Sequence, residues 1–258
     1  MSGERPFWIG LSLLGGSYVA LVAAMIAADA AFVNPADLGG VFRSPEIRYA
    51  TVLTLISSTA SSVASLAVGI PLGYLLARAS FPGKRWVDAL VDIPVVLPPL
   101  VVGLSLLILF RAIPGVAYSV TAVVLAQFAV AAAFAVRTLR VAFEEISPRA
   151  EQVAMTLGCT RTQAFRKVAL REARRGILAA ATLAWARSFG EFGPILVFAG
   201  ATRGRTEVLS TTVFLELSIG ELHRAVAVSL FMVIVSLGVI VVVRSLGAER
   251  AFLRGMRP

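Results

Sequence analysis

Long apolar runs alternate along this chain with short polar segments, and the runs are long enough to cross a bilayer. A spanning helix needs about 20 mostly apolar residues. Six stretches meet that length, near 7–33, 50–77, 93–112, 116–136, 176–200 and 225–244. The pattern predicts an all-α polytopic membrane protein with six transmembrane helices in one domain over 1–258. The first run is longer than a signal-peptide core, and no small-residue cleavage site follows it, so it reads as a retained span. The second contains Gly69-Ile70-Pro71-Leu72-Gly73, where it is expected to tilt or break. The third opens in Ile93-Pro94-Val95-Val96-Leu97-Pro98-Pro99. Three prolines remove backbone donors there, so its first turns are expected to be irregular and shielded by protein.

One polar interval does not read as a simple loop. Residues 147–170 carry the start and stop signals of two short helices. Ser147-Pro148 offers a cap and a proline at the first helical position. Glu151 follows in the first turn, where the helix dipole favours an anion. Ala150, Val153, Ala154 and Leu157 fall at i, i+3, i+4, i+7 and form one apolar stripe. Gly158 stands where a left-handed terminator is wanted. Thr160-Arg161-Thr162-Gln163 matches a capping box for a second helix. Phe165, Val168 and Ala169 give that helix an apolar face, with Arg161, Arg166 and Lys167 on its polar side. Such a hairpin is too short to fold alone. It packs on the ends of the spans or docks into another protein. A DNA-reading helix-turn-helix uses similar parts. Glu144, Glu145, Glu151 and Glu172 are interspersed, however, and spans flank the hairpin at both ends, so a groove-binding helix has little room.

Composition agrees with a lipid environment. Hydrophobic residues make up 58% of the 258 and mean hydropathy is +0.85. The net charge of +9 sits almost wholly in the polar intervals. Of 24 Lys and Arg, seventeen fall on the side holding both termini and the hairpin, six on the other, and Arg187 lies within a span. The positive-inside rule then predicts cytoplasmic termini and a cytoplasmic hairpin. A single cysteine, Cys159, and a single histidine, His223, exclude an internal disulfide and the usual zinc spacings. No Gly-x-x-x-x-Gly-Lys-Ser/Thr occurs, and Pro82-Gly83-Lys84-Arg85 fails at both ends. No cluster of acid–base groups suggests an enzyme.

The hairpin resembles the cytoplasmic EAA loop of permease subunits in ABC importers. That pattern has Glu-Ala-Ala, a glycine four residues after the last alanine, and Ile-x-Leu-Pro ten residues beyond the glycine. Here Gln152-Val153-Ala154 precedes Gly158, and Val168-Ala169-Leu170-Arg171 follows at the same spacing. Gln152 replaces the glutamate, with Glu151 adjacent, and Arg171 replaces the proline. The stretch from Leu76 to Lys84, with Asp92 to Pro99 after it, is similar to the second-to-third span connection of oxyanion permeases. Trp185-Ala186-Arg187-Ser188-Phe189-Gly190-Glu191-Phe192-Gly193 is similar to the fifth-span segment of molybdate and tungstate permeases, with sulfate permeases close. The resemblance covers about residues 50 to 245. It implies a non-catalytic permease subunit that forms a homodimer in a prokaryotic inner membrane. Two ATPase subunits would bind it on the cytoplasmic side and a solute-binding protein outside. ATP and magnesium would be held by the ATPase, with no cofactor on this chain and no nucleic acid. Residues expected to couple to the ATPase are Glu151, Gln152, Ala154, Leu157, Gly158, Arg161, Phe165 and Arg166. A sulfate or thiosulfate permease and an ATPase-independent secondary transporter are the alternatives. The latter needs ion-coupling carboxylates in broken spans, and Glu191 is the one candidate.

Arg187 and Glu191 are one helical turn apart in the fifth apolar run. An ionisable residue there is costly and faces the protein interior. Two readings remain open. The two residues form an internal ion pair that holds spans in register, or they line the translocation path with Phe192 and Gly193 as a gate. Ser57, Ser58, Ser61, Ser62 and Ser65 form a small-residue face on the second span, expected to serve close helix packing. Val213, Phe214 and Leu217 are spaced for a short interfacial helix within 207–221.

Overall fold

Backbone amides in hydrocarbon must bond within their own segment, and helices achieve this. The computed structural model describes residues 4–255, with the side chains of 4–6, 35–37, 42, 240 and 242–255 excepted. The charges counted at Arg5, Arg244, Arg250, Arg254 and Arg257 lie outside the described side chains. All regular structure among the described residues is helical. The elements are α1 (Glu4–Phe32), α2 (Pro35–Arg43), α3 (Pro45–Arg78), α4 (Lys84–Val96), α5 (Pro99–Phe110) and α6 (Val120–Glu144). They continue with α7 (Pro148–Thr156), α8 (Arg161–Ala164), a π-helical turn (Phe165–Ala169), α9 (Leu170–Glu172) and α10 (Arg174–Phe189). The last are α11 (Gly193–Phe198), α12 (Leu209–Ser218) and α13 (Leu222–Gly255).

The expected six spans are not six uninterrupted helices. Among the described residues four segments are individually long and apolar enough to cross a membrane: Phe7–Phe32, Pro45–Arg78, Val120–Glu144 and Leu222–Val239. A fifth exists if α4 and α5, bent by 114°, count as one. The expected third span thus breaks at Leu97-Pro98, within the proline stretch, whereas Ile93–Val96, with Pro94, continue α4 as regular helix. The fifth is interrupted at Gly190–Phe192, where α10 ends and α11 begins. The second span does not break at Gly69–Gly73. There α3 runs through Pro71 for 34 residues, and the glycines serve packing instead. A Cβ on Gly73 would lie 3.0 Å from the backbone nitrogen of Arg140 in α6.

The seam of the molecule is α3 against α6 and α10. Ser57, Ser58, Ser61, Ser62 and Ser65 are all buried in it, as their spacing predicts. Ser61 donates to the Val124 carbonyl at 2.8 Å, and Ser62 to the Ala181 carbonyl at 3.1 Å. Across the seam Ala131, Ala135, Ala180 and Ala184 are buried together. Ion pairs tie α4 to α6, Asp92 to Arg137 and Asp88 to Arg140. The two broken segments lock into each other. A Cβ on Gly103 of α5 would lie 2.8 Å from the Cα of Pro194, and one on Gly193 would lie 2.7 Å from the Cβ of Pro99.

The expected short helix near 207–221 is present as α12. It buries Thr211, Thr212 and Glu216 and exposes Phe214 and Leu217. Arg203 meets the Glu216 carboxylate at 3.0 Å. Exposed His223 stacks on Phe32, with ring centroids 4.6 Å apart. Along α1 the apolar side chains are exposed, which suits lipid or a second copy.

Gly103→Leu forces side-chain atoms against a fixed backbone. The expected cost is about 1–3 kcal/mol, seen as a lowered melting temperature of the detergent-solubilised protein. Gly238→Ala, with nothing within 4 Å of the added Cβ, is expected to leave that temperature unchanged or raised.

Candidate functional site

Two places concentrate the polar groups that the resemblance singled out: the hairpin between α6 and α10, and the break between α10 and α11. The hairpin forms as its local signals dictate. The Ser147 hydroxyl accepts from the Arg149 amide at 3.4 Å, and Pro148 opens α7. Gly158 adopts φ +90°, open to glycine at little cost. The Gly158 amide donates to the Met155 carbonyl and the Cys159 amide to the Ala154 carbonyl, both at 3.0 Å. Those two bonds make a Schellman stop. The Thr160 amide donates to Gln163 Oε1 at 2.9 Å, and the Gln163 amide to Thr160 Oγ1 at 3.3 Å, completing the capping box. The second helix continues through α8, the π-helical turn and α9, and Ala173 joins it to α10.

The predicted coupling residues divide into two sets. Glu151 and Phe165 point into the molecule. Phe165 is half-buried beside Tyr74, with ring centroids 4.5 Å apart, and Phe143 completes the aromatic group. Glu151 is buried against the last turn of α3. Arg78 Nε donates to Glu151 Oε1 at 3.0 Å, and the Tyr74 hydroxyl to Oε2 at 2.5 Å. Arg78 Nη2 also donates to the Ile146 carbonyl at 2.7 Å. Gln152, Leu157, Gly158, Arg161 and Arg166 are exposed, and Ala154 is half-buried. The apolar stripe is split accordingly. Val153 and Leu157 stand 57% and 81% exposed, with Met155 beside them. An apolar tip between arginines and Lys167 is a surface suited to a protein groove.

In the break between α10 and α11, Arg187 Nη1 meets Glu191 Oε2 at 2.9 Å. The carboxylate is buried, whereas the arginine side chain is 30% exposed and lies over the Phe134 ring at 5.9 Å. Ser210 donates to the Glu191 carbonyl at 2.6 Å, fixing the turn to α12. Phe192 packs on Phe214 with centroids 5.3 Å apart, and Gly193 is buried against Pro99. All four residues predicted for the path therefore cluster at one irregular stretch of backbone.

Sequence reasoning missed Tyr74 and Phe143, and it counted Arg78 only as a loop charge. Tyr74 and Arg78 sit at i, i+4 on α3, a spacing that puts both on one face. Their partner lies more than 70 residues away, and nothing local to the chain points to it. Asp88 with Asp92, and Arg137 with Arg140, are likewise complementary pairs at helical spacing.

Comparison with known proteins agrees with this geometry. A family model described as binding-protein-dependent transport system inner membrane component matches residues 69–248. The chain belongs to that family of ABC-importer permeases. It is 38% identical over 191 residues to the molybdate/tungstate transport system permease protein of Thermococcus kodakarensis, covering 74% of this chain and 75% of that one. It is 34% identical over 255 residues to a probable molybdenum ABC transporter permease of Haloferax volcanii, covering 94% and 91%. The sulfate transport system permease of Salmonella typhimurium is 34% identical over 209 residues, covering 76% and 75%. Among solved structures, a bacterial ABC transporter that imports the acidic polysaccharide alginate superposes with TM-score 0.72 at 17% identity, over 96% of this chain and 98% of that one. An inward-facing methionine ABC transporter superposes with TM-score 0.62 at 22% identity, over 83% and 100%.

Removing Arg187 strands a buried carboxylate, whereas removing both partners does not. Arg187→Ala is expected to lower the melting temperature, by up to about 3 kcal/mol of stability. The double variant with Glu191→Ala is expected to recover part of that loss. A double variant that melts below the single one would show that Arg187 is not the main partner of this carboxylate.

Proposed function

We propose that this permease imports a tetrahedral oxyanion, molybdate or tungstate, as a homodimer driven by a separate ATPase. The observation that carries the coupling is the exposed apolar tip at Val153 and Leu157, raised on a hairpin whose other face is packed into the molecule. In this reading the tip seats in a groove of the ATPase, which binds ATP and magnesium, and a solute-binding protein delivers the anion to the opposite face. Gln152, Gly158 and Arg166 lie on the exposed side of the hairpin and complete the contact, with Arg161 at its edge beside Tyr74 and Glu151. Both termini and the hairpin lie in the cytoplasm, in keeping with the seventeen-to-six bias of cationic residues. The relatives named for molybdate or tungstate support the substrate class, and the sulfate relative makes sulfate the second candidate.

The break at Gly190–Phe192 suits a path. Arg187 presents positive charge on its open side, and buried Glu191 partly neutralises it. A passing divalent anion would be attracted without being trapped, and release is as necessary as entry. Phe192 and Gly193 then form the narrow gate beside that charge.

Two measurements test the reading. Leu157→Asp is expected to abolish co-purification with the ATPase subunit while the permease still folds. Gly158→Leu, which forces φ +90° on a branched side chain, is expected to do the same. In proteoliposomes holding permease, ATPase and binding protein, uptake of labelled molybdate is expected to need ATP and to be competed by tungstate more strongly than by sulfate. Uptake without the ATPase would favour a secondary transporter, and stronger competition by sulfate would move the substrate to sulfate.

A further inference from the structure

The hairpin's first helix is joined to the membrane domain by an internal ion pair, and this bears on how force travels. We infer that Glu151, Arg78 and Tyr74 are positioning residues that root the coupling hairpin on α3, and that Glu151 is not itself a contact to the ATPase. This inference rests on the importer reading above.

The chemistry of the pair favours a fixed root. Arg78 and Glu151 are 10% and 9% exposed. Charges so far from water persist only when their hydrogen-bonding capacity is met. Both carboxylate oxygens of Glu151 have a donor, Arg78 on one and Tyr74 on the other. Arg78 also holds the Ile146 carbonyl, so one guanidinium grips the entry to the hairpin and its first turn together. Position adds to this. Arg78 ends α3 and Glu151 begins α7, so each charge opposes the helix dipole at its own terminus. Tyr74, besides donating, packs edge-on to Phe143 and at a tilt to Phe165, and thereby engages the second helix of the hairpin.

The result is a lever with two attachments besides its short chain link to α6. Through the root, α7 bears on α3. Through Ala173, the second helix bears on α10, which carries Arg187 fourteen residues beyond Ala173, about 20 Å along the helix. Displacement of the tip then moves α3 and α10 together. Without the root, the tip would swing on its chain connections to α6 and α10 and lose its hold on α3.

The native Cys159, beside the hairpin turn and unpaired, accepts a spin label. The label reports the hairpin in the permease alone, and ATP hydrolysis against oxyanion uptake reports coupling in the full proteoliposome complex. In wild type a slow, immobilised spectrum is expected. Glu151→Ala and Arg78→Ala are expected to narrow it, and the exchange Arg78→Glu with Glu151→Arg to restore the slow spectrum. Tyr74→Phe keeps the ring contacts and is expected to fall between. In the complex, Glu151→Ala is expected to keep the ATPase bound and hydrolysing, while uptake per ATP falls about ten-fold, within the usual range of coupling between sites. The inference is overturned if Glu151→Ala leaves both spectrum and uptake per ATP unchanged, or if it releases the ATPase. A wild-type complex that hydrolyses ATP yet imports no oxyanion would defeat the importer reading instead, and the spectra would still decide the root.

Discussion

Lipid supplies no hydrophobic force between helices, so α3, α6 and α10 are held by close contact of their backbones and by a few interhelical hydrogen bonds. Small side chains make that approach possible. Serines on α3 face alanines on α6 and α10, and Gly73 lets the Arg140 backbone come near enough that a Cβ would touch it at 3.0 Å. The hydroxyls add directional contacts to neighbouring carbonyls that have lone pairs to spare. This seam is the rigid frame on which the hairpin at one end and the broken helices toward the other are mounted. A looser seam would let both sites drift relative to each other.

The breaks obey the same constraint. Irregular backbone at membrane depth is tolerated where protein covers it. The bend at Leu97-Pro98 and the gap at Gly190–Phe192 cover each other, because Gly103 accepts Pro194 and Gly193 accepts Pro99 at distances that admit no side chain. The Leu209 amide, just past the loop that follows α11, donates to Thr54 Oγ1 at 2.9 Å and so returns the chain to the seam. Pro99 and Pro194 stand in the first turn of their helices and lie against glycine, so their missing donors fall where no helical partner was due.

Much of this was legible in one sequence, and the remainder has physical reasons. Local signals carry their own geometry: the Ser147 cap, the Gly158 stop and the Thr160–Gln163 box act within six residues, and each formed as read. Helix existence followed from apolar runs for the same reason. Continuity did not. Gly69–Gly73 looked like a break and became a packing surface, because a neighbouring helix held α3 straight through Pro71. Gly190–Phe192 looked like part of a span and became a gap. In both cases tertiary contact outweighed local preference. The inward face of the hairpin was also unreadable, since Glu151 meets Arg78 across more than 70 residues. A stripe at i, i+3, i+4, i+7 predicted one apolar face, but packing buried Glu151 in place of Leu157.

Two ion pairs, Arg78–Glu151 and Arg187–Glu191, show how one chemical couple takes different work from its surroundings. Arg78 and Glu151 are both sequestered, with each carboxylate oxygen matched, so separating them costs desolvation on both sides at once. That makes a stiff connection, useful where motion has to be passed on undiminished. Arg187 and Glu191 are sequestered on one side only: the carboxylate is buried, and the guanidinium keeps an open face. Such a pair can exchange partners, because an anion approaching the open face competes with Glu191 without first removing it from the protein. Stiffness in the hairpin and exchangeability in the break are opposite demands, and burial of the arginine is the variable that separates them.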